Sequence, residues 1–164
     1  MIYGVSSMTD PLKKVAVMKP SFSLKNADPS KWNYGPKFKP EKIDKIHSSF
    51  VSLLEDDGVE IFWMSEDDQG IADAIFTYDA SLMTKKGAIL MSPGKPLRSG
   101  EQNIHRKFYE KHNIPIIGSI QSPAFAEAGD TLWLDDKTLI IGKGFRTNQN
   151  GVSQLKKIVS PLGI

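Results

Sequence analysis

The chain has 164 residues, 40% of them hydrophobic and 24% charged, and its 21 Lys and Arg against 19 Asp and Glu leave a net charge of +2. That is the make-up of one globular domain over residues 1–164, and charges that alternate in sign along the chain give no electrostatic footprint for nucleic acid or an anionic membrane. The cysteine count is zero, which excludes disulfides, thiolate metal sites and a cysteine nucleophile within these residues.

The longest apolar stretches, such as Val59 to Met64 and Leu139 to Ile141, fall far short of the roughly 18 to 20 residues that span a bilayer, and the N-terminus lacks a signal-peptide pattern. A cytoplasmic location is expected. Lys13 to Lys19 (KKVAVMK), closed by Pro20, reads as a short buried strand. Residues 21–39 carry four aromatics and little periodicity and read as a long ordered loop of the kind that often covers a site. From Pro40 the spacing predicts a helix, with Ile43, Ile46, Phe50, Leu53 and Leu54 on its inward face and Gly58 at its end.

Val59 to Met64 follows as a strand. Asp73 to Thr77 and Gly87 to Met91 are read as an antiparallel pair joined through Lys85-Lys86-Gly87. A second helix is expected from about Arg98 to His112, with Ile104 and Phe108 inward, and Ile114 to Gly118 returns as a strand. Thr131 to Leu134 and Thr138 to Ile141 flank an Asp135-Asp136-Lys137 turn, and Gly151 to Val159 is a third helix. The repeating order of strand, strand, helix, strand, at spacings of about 50 residues, points to a radial α/β array of about three units, whose open edge another chain or a second copy would cover.

Three segments place charged residues among turn residues at the ends of apolar runs, where sites in α/β folds are usually built: Ile75 to Asp79, Glu127-Ala128-Gly129-Asp130, and Gly142 to Asn148 with Arg146-Thr147-Asn148. Between the first two lies Arg98 with Glu101 close behind. A guanidinium is a planar, permanently charged cation with forked donors, and carboxylates match it bidentately while compensating its charge. Asp79 and Glu127 are placed around such a cation, and Glu127 could also shuttle protons if a dry site raises its pKa. Each residue also has a structural reading. Asp79 could be a turn residue, Asp130 could pair with Arg146, and Arg98 could lie at a helix start on the surface. His47, His105 and His112 fall on predicted helices and are read as solvated or helix-terminal. Phosphate-loop, dinucleotide and zinc motifs are absent, so no metal and no cofactor are expected.

These motifs, in this order, resemble the guanidine-modifying superfamily that includes dimethylarginine dimethylaminohydrolase, arginine deiminase and the amidinotransferases. Ile75 to Asp79 is similar to its Phe-x-x-Asp strand, Arg98 with Glu101 to its Arg-x-x-Glu segment, Glu127 to Asp130 to its Glu-Gly-Gly-Asp motif with Ala128 in place of the first Gly, and Arg146-Thr147-Asn148 to the Arg-Thr-Asn of the dimethylargininase branch. The resemblance implies a pentein-like α/β propeller, of which this chain is the N-terminal part. It also implies an arginine-like guanidino small molecule as ligand and a hydrolase giving a citrulline-like product. Glu127 would be catalytic; Asp79, Arg98, Asp130 and Arg146 would bind substrate, the two arginines at its carboxylate end. The family's His and Cys follow later in its sequence and have no counterpart here. The alternative is a non-catalytic guanidino-binding or assembly protein on the same scaffold.

Overall fold

The computed structural model describes residue 4 and residues 7–164. They divide into two compact units, Pro11–Thr77, and the described residues before Pro11 together with Tyr78–Ile164.

In the unit Pro11–Thr77, strand β1 (Lys14–Val17) pairs in parallel with β2 (Glu60–Trp63), with Val15 opposite Ile61 and Val17 opposite Trp63. Helix α3 (Pro40–Asp56) is the crossover between them, since parallel neighbours need a long connection. Within residues 21–39 the connection forms two single-turn helices, α1 (Phe22–Lys25) and α2 (Pro29–Trp32), capped by Ser21 and Asp28, whose side chains accept hydrogen bonds from Leu24 N and Ser30 N. Helix α3 runs where the spacing predicts it, but its expected inward face is not the buried one. Val51 is buried, whereas Ile46, Phe50 and Leu53 are exposed. An apolar stripe fixes the helical period; what covers which part of it depends on neighbours that the stripe does not encode.

The expected strand Asp73 to Thr77 is a 3-10 turn, Ala72–Ile75. Its backbone is satisfied locally, Ala74 N on Ile71 O and Phe76 N on Asp73 O, and the buried Asp73 carboxylate accepts from Tyr34 Oη at 2.7 Å. Local turn bonds, and a buried acidic residue with a distant partner, thus replace ladder pairing in a segment that reads as strand from its apolar content.

In the second unit the antiparallel partner of β4 (Gly87–Leu90) is β3 (Ser81–Thr84), Ser81 facing Leu90 and Thr84 facing Gly87. Thr84 closes the turn by donating to Gly87 O and accepting from Lys86 N. After a 3-10 turn at Pro96–Arg98, helix α4 (Gln102–Lys111) begins four residues later than predicted, beyond Gly100, whose φ of 90° ends any helical run through it. Ile104 and Phe108 are inward, as the spacing requires. Strand β5 (Ile116–Ser119) joins β4 in parallel, completing one strand, strand, helix, strand unit in the order β3-β4-β5. Strands β6 (Thr131–Asp135) and β7 (Thr138–Ile141) form a two-stranded ribbon, and α5 (Gln149–Val159) follows.

The core of this unit joins Leu82, Ile89 and Met91 to Trp133, Leu155 and Val159, with alanines at 124, 126 and 128 allowing close approach. Asn148 caps α5, its Oδ1 accepting from Gly151 N at 2.7 Å. A Cβ on Gly151 would run into Phe125 O, so glycine there lets the helix start sit against the extended segment of Phe125 and Ala126. The fold is mixed α/β, and among the described residues no closed propeller is formed.

Candidate guanidinium-binding site

All five residues singled out from the sequence lie in the second unit, and they form one continuous polar cluster. Asp79 sits just before β3, Glu127 precedes and Asp130 ends the 3-10 turn ahead of β6, and Arg98 ends the turn before α4. Backbone bonds lock these pieces in register. Ala128 N donates to Asp79 O at 2.9 Å, and Ser92 and Ala126 exchange both of their N–H···O bonds. Ala128 is fully buried and lacks a positive φ, so alanine in place of the family glycine carries no backbone strain. Gly129 is the position that matters, because a Cβ there would collide with Asp79 Oδ1.

Arg98 is buried, at 4% exposure, where the sequence allows a surface helix start. Its Nε and Nη2 donate to the two oxygens of Glu101 at 2.5 Å each, and Nη1 donates to Asp79 Oδ2 at 2.7 Å. Burial works against the Arg98 charge, but the hydrogen bonds and charge of Glu101, followed by those of Asp79, outweigh it and raise the pKa. Glu101, fully buried, is thus a member of the site that belongs with the five; its spacing of three from Arg98 was the available signal.

Arg146 is the second guanidinium. Nη1 donates to Glu127 Oε2 at 2.9 Å and lies 3.9 Å from Asp79 Oδ1, while Nη2 donates to Asp130 Oδ1 at 3.0 Å. Asp79 and Glu127 therefore both approach one guanidinium nitrogen of Arg146. Glu127 is 1% exposed, and its other oxygen accepts from Gly94 N at 3.2 Å. Burial, then repulsion from Asp79, pushes its carboxyl above the usual range against the pull of Arg146 and Arg98. A carboxylate so placed can hold a cation and exchange a proton nearer neutrality than an exposed glutamate can.

Two further groups brace the cluster. Thr147, fully buried, donates from Oγ1 to Asp130 Oδ2 at 2.6 Å and accepts from Glu127 N at 3.3 Å. Behind Arg98, Ser81 Oγ lies 2.8 Å from His105 Nδ1 and 2.5 Å from Tyr109 Oη. His105 is 2% exposed, which corrects its reading as a solvated helical residue. Burial, aided by the Arg98 charge, pushes its imidazole down to about 4, so it is neutral at physiological pH. Its position four residues after Glu101, the N-cap residue of α4, puts both on one side of the helix, a signal present in the spacing. Among the described residues, no group of three or more His, Cys, Asp or Glu side chains is arranged to hold a metal ion.

A family model described as arginine deiminase matches residues 70–160, more than half of the chain and the whole of this cluster. The chain is 29% identical over 118 residues to N(G),N(G)-dimethylarginine dimethylaminohydrolase of Pseudomonas aeruginosa, covering 72% of this chain and 46% of that protein. It is 28% identical over 147 residues to an uncharacterised protein of Caenorhabditis elegans, covering 90% and 52%. The chain thus spans about half the length of these curated relatives. Among solved structures, it superposes with a TM-score of 0.78 and 25% identity on the Pseudomonas aeruginosa dimethylarginine dimethylaminohydrolase complexed with citrulline, covering 94% of this chain and 59% of that one. It also matches the N-terminal domain of a cyanobacterial arginine dihydrolase bound to product, at a TM-score of 0.74 and 17% identity over 92% of this chain and 55% of that one, a likeness of fold.

Proposed function

The chain belongs to the arginine deiminase family, within the guanidine-modifying superfamily, and from that premise we propose that residues 1–164 form the N-terminal, guanidinium-recognising part of a dimethylargininase-type hydrolase. Its substrate would be an arginine-like guanidino amino acid and its product a citrulline-like ureido acid. The observation that carries this reading is the convergence of Asp79 and Glu127 on a single guanidinium nitrogen.

In this reading Asp79 and Glu127 grip the head group, and Glu127, with its raised pKa, handles the proton passed to or from the reacting nitrogens. Asp130 extends the carboxylate wall and Arg146 meets the substrate carboxylate. Arg98, enclosed by Glu101 and Asp79, supplies positive potential at that end and fixes Asp79 from behind. Chemistry of the family type has a thiolate attack the guanidinium carbon and expel an amine, after which water releases the product from the thiol. The 164 residues contain no cysteine, so the thiol lies outside them, and the scaffold is about three units of an α/β propeller completed by further residues, a second copy or another chain. The absence of cysteine also favours a second reading, a non-catalytic protein that retains guanidino binding.

Titration of L-arginine and dimethylarginine into wild type, Asp79→Asn and Glu127→Gln, with lysine as the control, tests the binding common to both readings. Saturable binding on the order of millimolar is expected, lost in both variants and absent for lysine. Binding that survives both substitutions would reduce the two carboxylates to turn residues. Citrulline-type product from these 164 residues alone would overturn the assignment of the thiol to residues outside them.

A further inference from the structure

The carboxylate cleft already holds a guanidinium, that of Arg146. Its Nη1 stands between the two carboxylates assigned to the ligand, 2.9 Å from Glu127 and 3.9 Å from Asp79. Only one such group can form charge-assisted bonds to Glu127 Oε2 in that orientation, so an incoming head group and Arg146 compete for the same acceptor. We infer that Arg146 is a tethered stand-in for the ligand and that binding is an exchange, in which the ligand's guanidinium takes Glu127 and Asp79 while the displaced Arg146 turns to the ligand's carboxylate. The inference rests on the guanidino-binding reading of the cleft and adds to it the means by which that cleft selects its ligand.

Three features support exchange over a fixed ion pair. The Arg146 side chain is 38% exposed, against 5% for Arg98, so its guanidinium can leave the carboxylates without entering an apolar interior. It extends from a loop whose preceding residues, Gly142 to Phe145, are all exposed, with Phe145 at 90%, while Thr147 beyond it is buried and bonded to Asp130 and Glu127. Side-chain torsions can therefore swing the guanidinium about a fixed base. Finally, three carboxylates, Asp79, Glu127 and Asp130, lie within 4 Å of the one Arg146 guanidinium, so the negative potential of the cleft favours an incoming cation.

Exchange makes the carboxylate of the ligand a condition for tight binding. A guanidine without one displaces Arg146 and gives it no new partner, whereas an amino acid replaces the lost ion pair with another. The signature is inverted from that of an ordinary binding residue: removing Arg146 should strengthen binding of a carboxylate-free guanidine.

The test titrates L-arginine and butylguanidine, which lacks the carboxylate, into wild type, Arg146→Gln and Arg146→Lys, with circular dichroism confirming the fold of each. In wild type, arginine should bind about tenfold tighter than butylguanidine, the scale of one charge-assisted pair. In Arg146→Gln the butylguanidine affinity should rise about fivefold and the preference for arginine should fall to roughly unity; Arg146→Lys should retain part of it. A butylguanidine affinity unchanged or lowered in Arg146→Gln overturns the exchange, as does a preserved preference. A second readout uses wild type alone, in case the variants fail to fold. Saturating arginine should shift the NMR signal of Arg146 Nε–H well beyond that of Arg98, and an unmoved Arg146 signal overturns the proposal. The two levels remain separable. If Glu127→Gln abolishes arginine binding but Arg146→Gln shows no inversion, the guanidino site stands and the exchange falls; if arginine binds neither wild type nor any variant, both fall.

Discussion

Arg98 and Arg146 are the same side chain in the same cluster, each forked onto two carboxylates, and they differ chiefly in exposure. Arg98 closes a bidentate pair with the fully buried Glu101 and a third bond to Asp79. Arg146 spans Glu127 and Asp130 with more than a third of its side chain open to water. Removing one partner of a buried ion pair strands a charge that water cannot reach, whereas removing one from a solvated pair lets water take its place. Identical chemistry is thereby divided into an enclosed strut and a pair open to water, the latter being the clamp of the exchange proposed above, a division that hydrogen-bond counts alone do not reveal.

The largest expected effect breaks the comparison outright if it is absent. Arg98→Ala should destabilise the protein by about 3–5 kcal/mol, because Glu101 and Asp79 lose their compensating charge in a buried setting, while Arg146→Ala should cost less, about 1–3 kcal/mol, because Glu127 is buried but water can enter where the half-exposed Arg146 stood. Urea denaturation of both variants decides it; equal losses would mean that exposure is not the governing variable. Next comes pH. His105, beside Arg98 and bonded to Ser81, has its pKa lowered from 6.5 to about 4 in the folded state, so the unfolded chain takes up the proton first as pH falls. Its contribution to stability is intact above pH 6.5 and lost progressively down to about pH 4, to a total of about 3 kcal/mol. Denaturation midpoints measured between pH 7 and 5 should show this slope in wild type and lose it in His105→Gln. The smallest effect concerns the clamp's brace. Thr147→Val leaves the Glu127 N–H and Asp130 each one bond short and should cost about 1–2 kcal/mol, with Thr147→Ser restoring most of it.

Much of the site was legible because its chemistry dictates residue types in order. Asp79, Arg98, Glu127, Asp130 and Arg146 are read from motifs at strand ends, and the fold brings all five together. What the motifs do not carry is depth. Arg98 could equally be a surface residue, and only the packing of the turn at Pro96–Arg98 and of α4 encloses it. His105 reads as a helical surface residue until Ser81 and Tyr109 are found to satisfy it. In the fold, strands β4, β6 and β7 and helices α3 and α5 follow from periodicity. The strand expected at Asp73–Thr77 fails because periodicity registers apolar content and cannot see Tyr34, 39 residues away, bonding the carboxylate that the turn buries. For the same reason the spacing places the exposed Ile46, Phe50 and Leu53 on the inward face.

The two arginines also differ in when they can find their partners. Arg98 and Glu101 are three residues apart, so their fork can close within a nascent segment shorter than one helix. Arg146 must travel back 16 and 19 residues to Asp130 and Glu127, and the intervening chain has first to fold into the β6–β7 ribbon. The entropy of closing a loop rises with its length, so the local pair is an early event and the clamp a late one. A chain caught partway through folding would hold the Arg98–Glu101 fork already formed and its cleft still open, which makes the Arg146 contacts, like the Arg98 bond to Asp79 across 19 residues, markers of a later step of assembly.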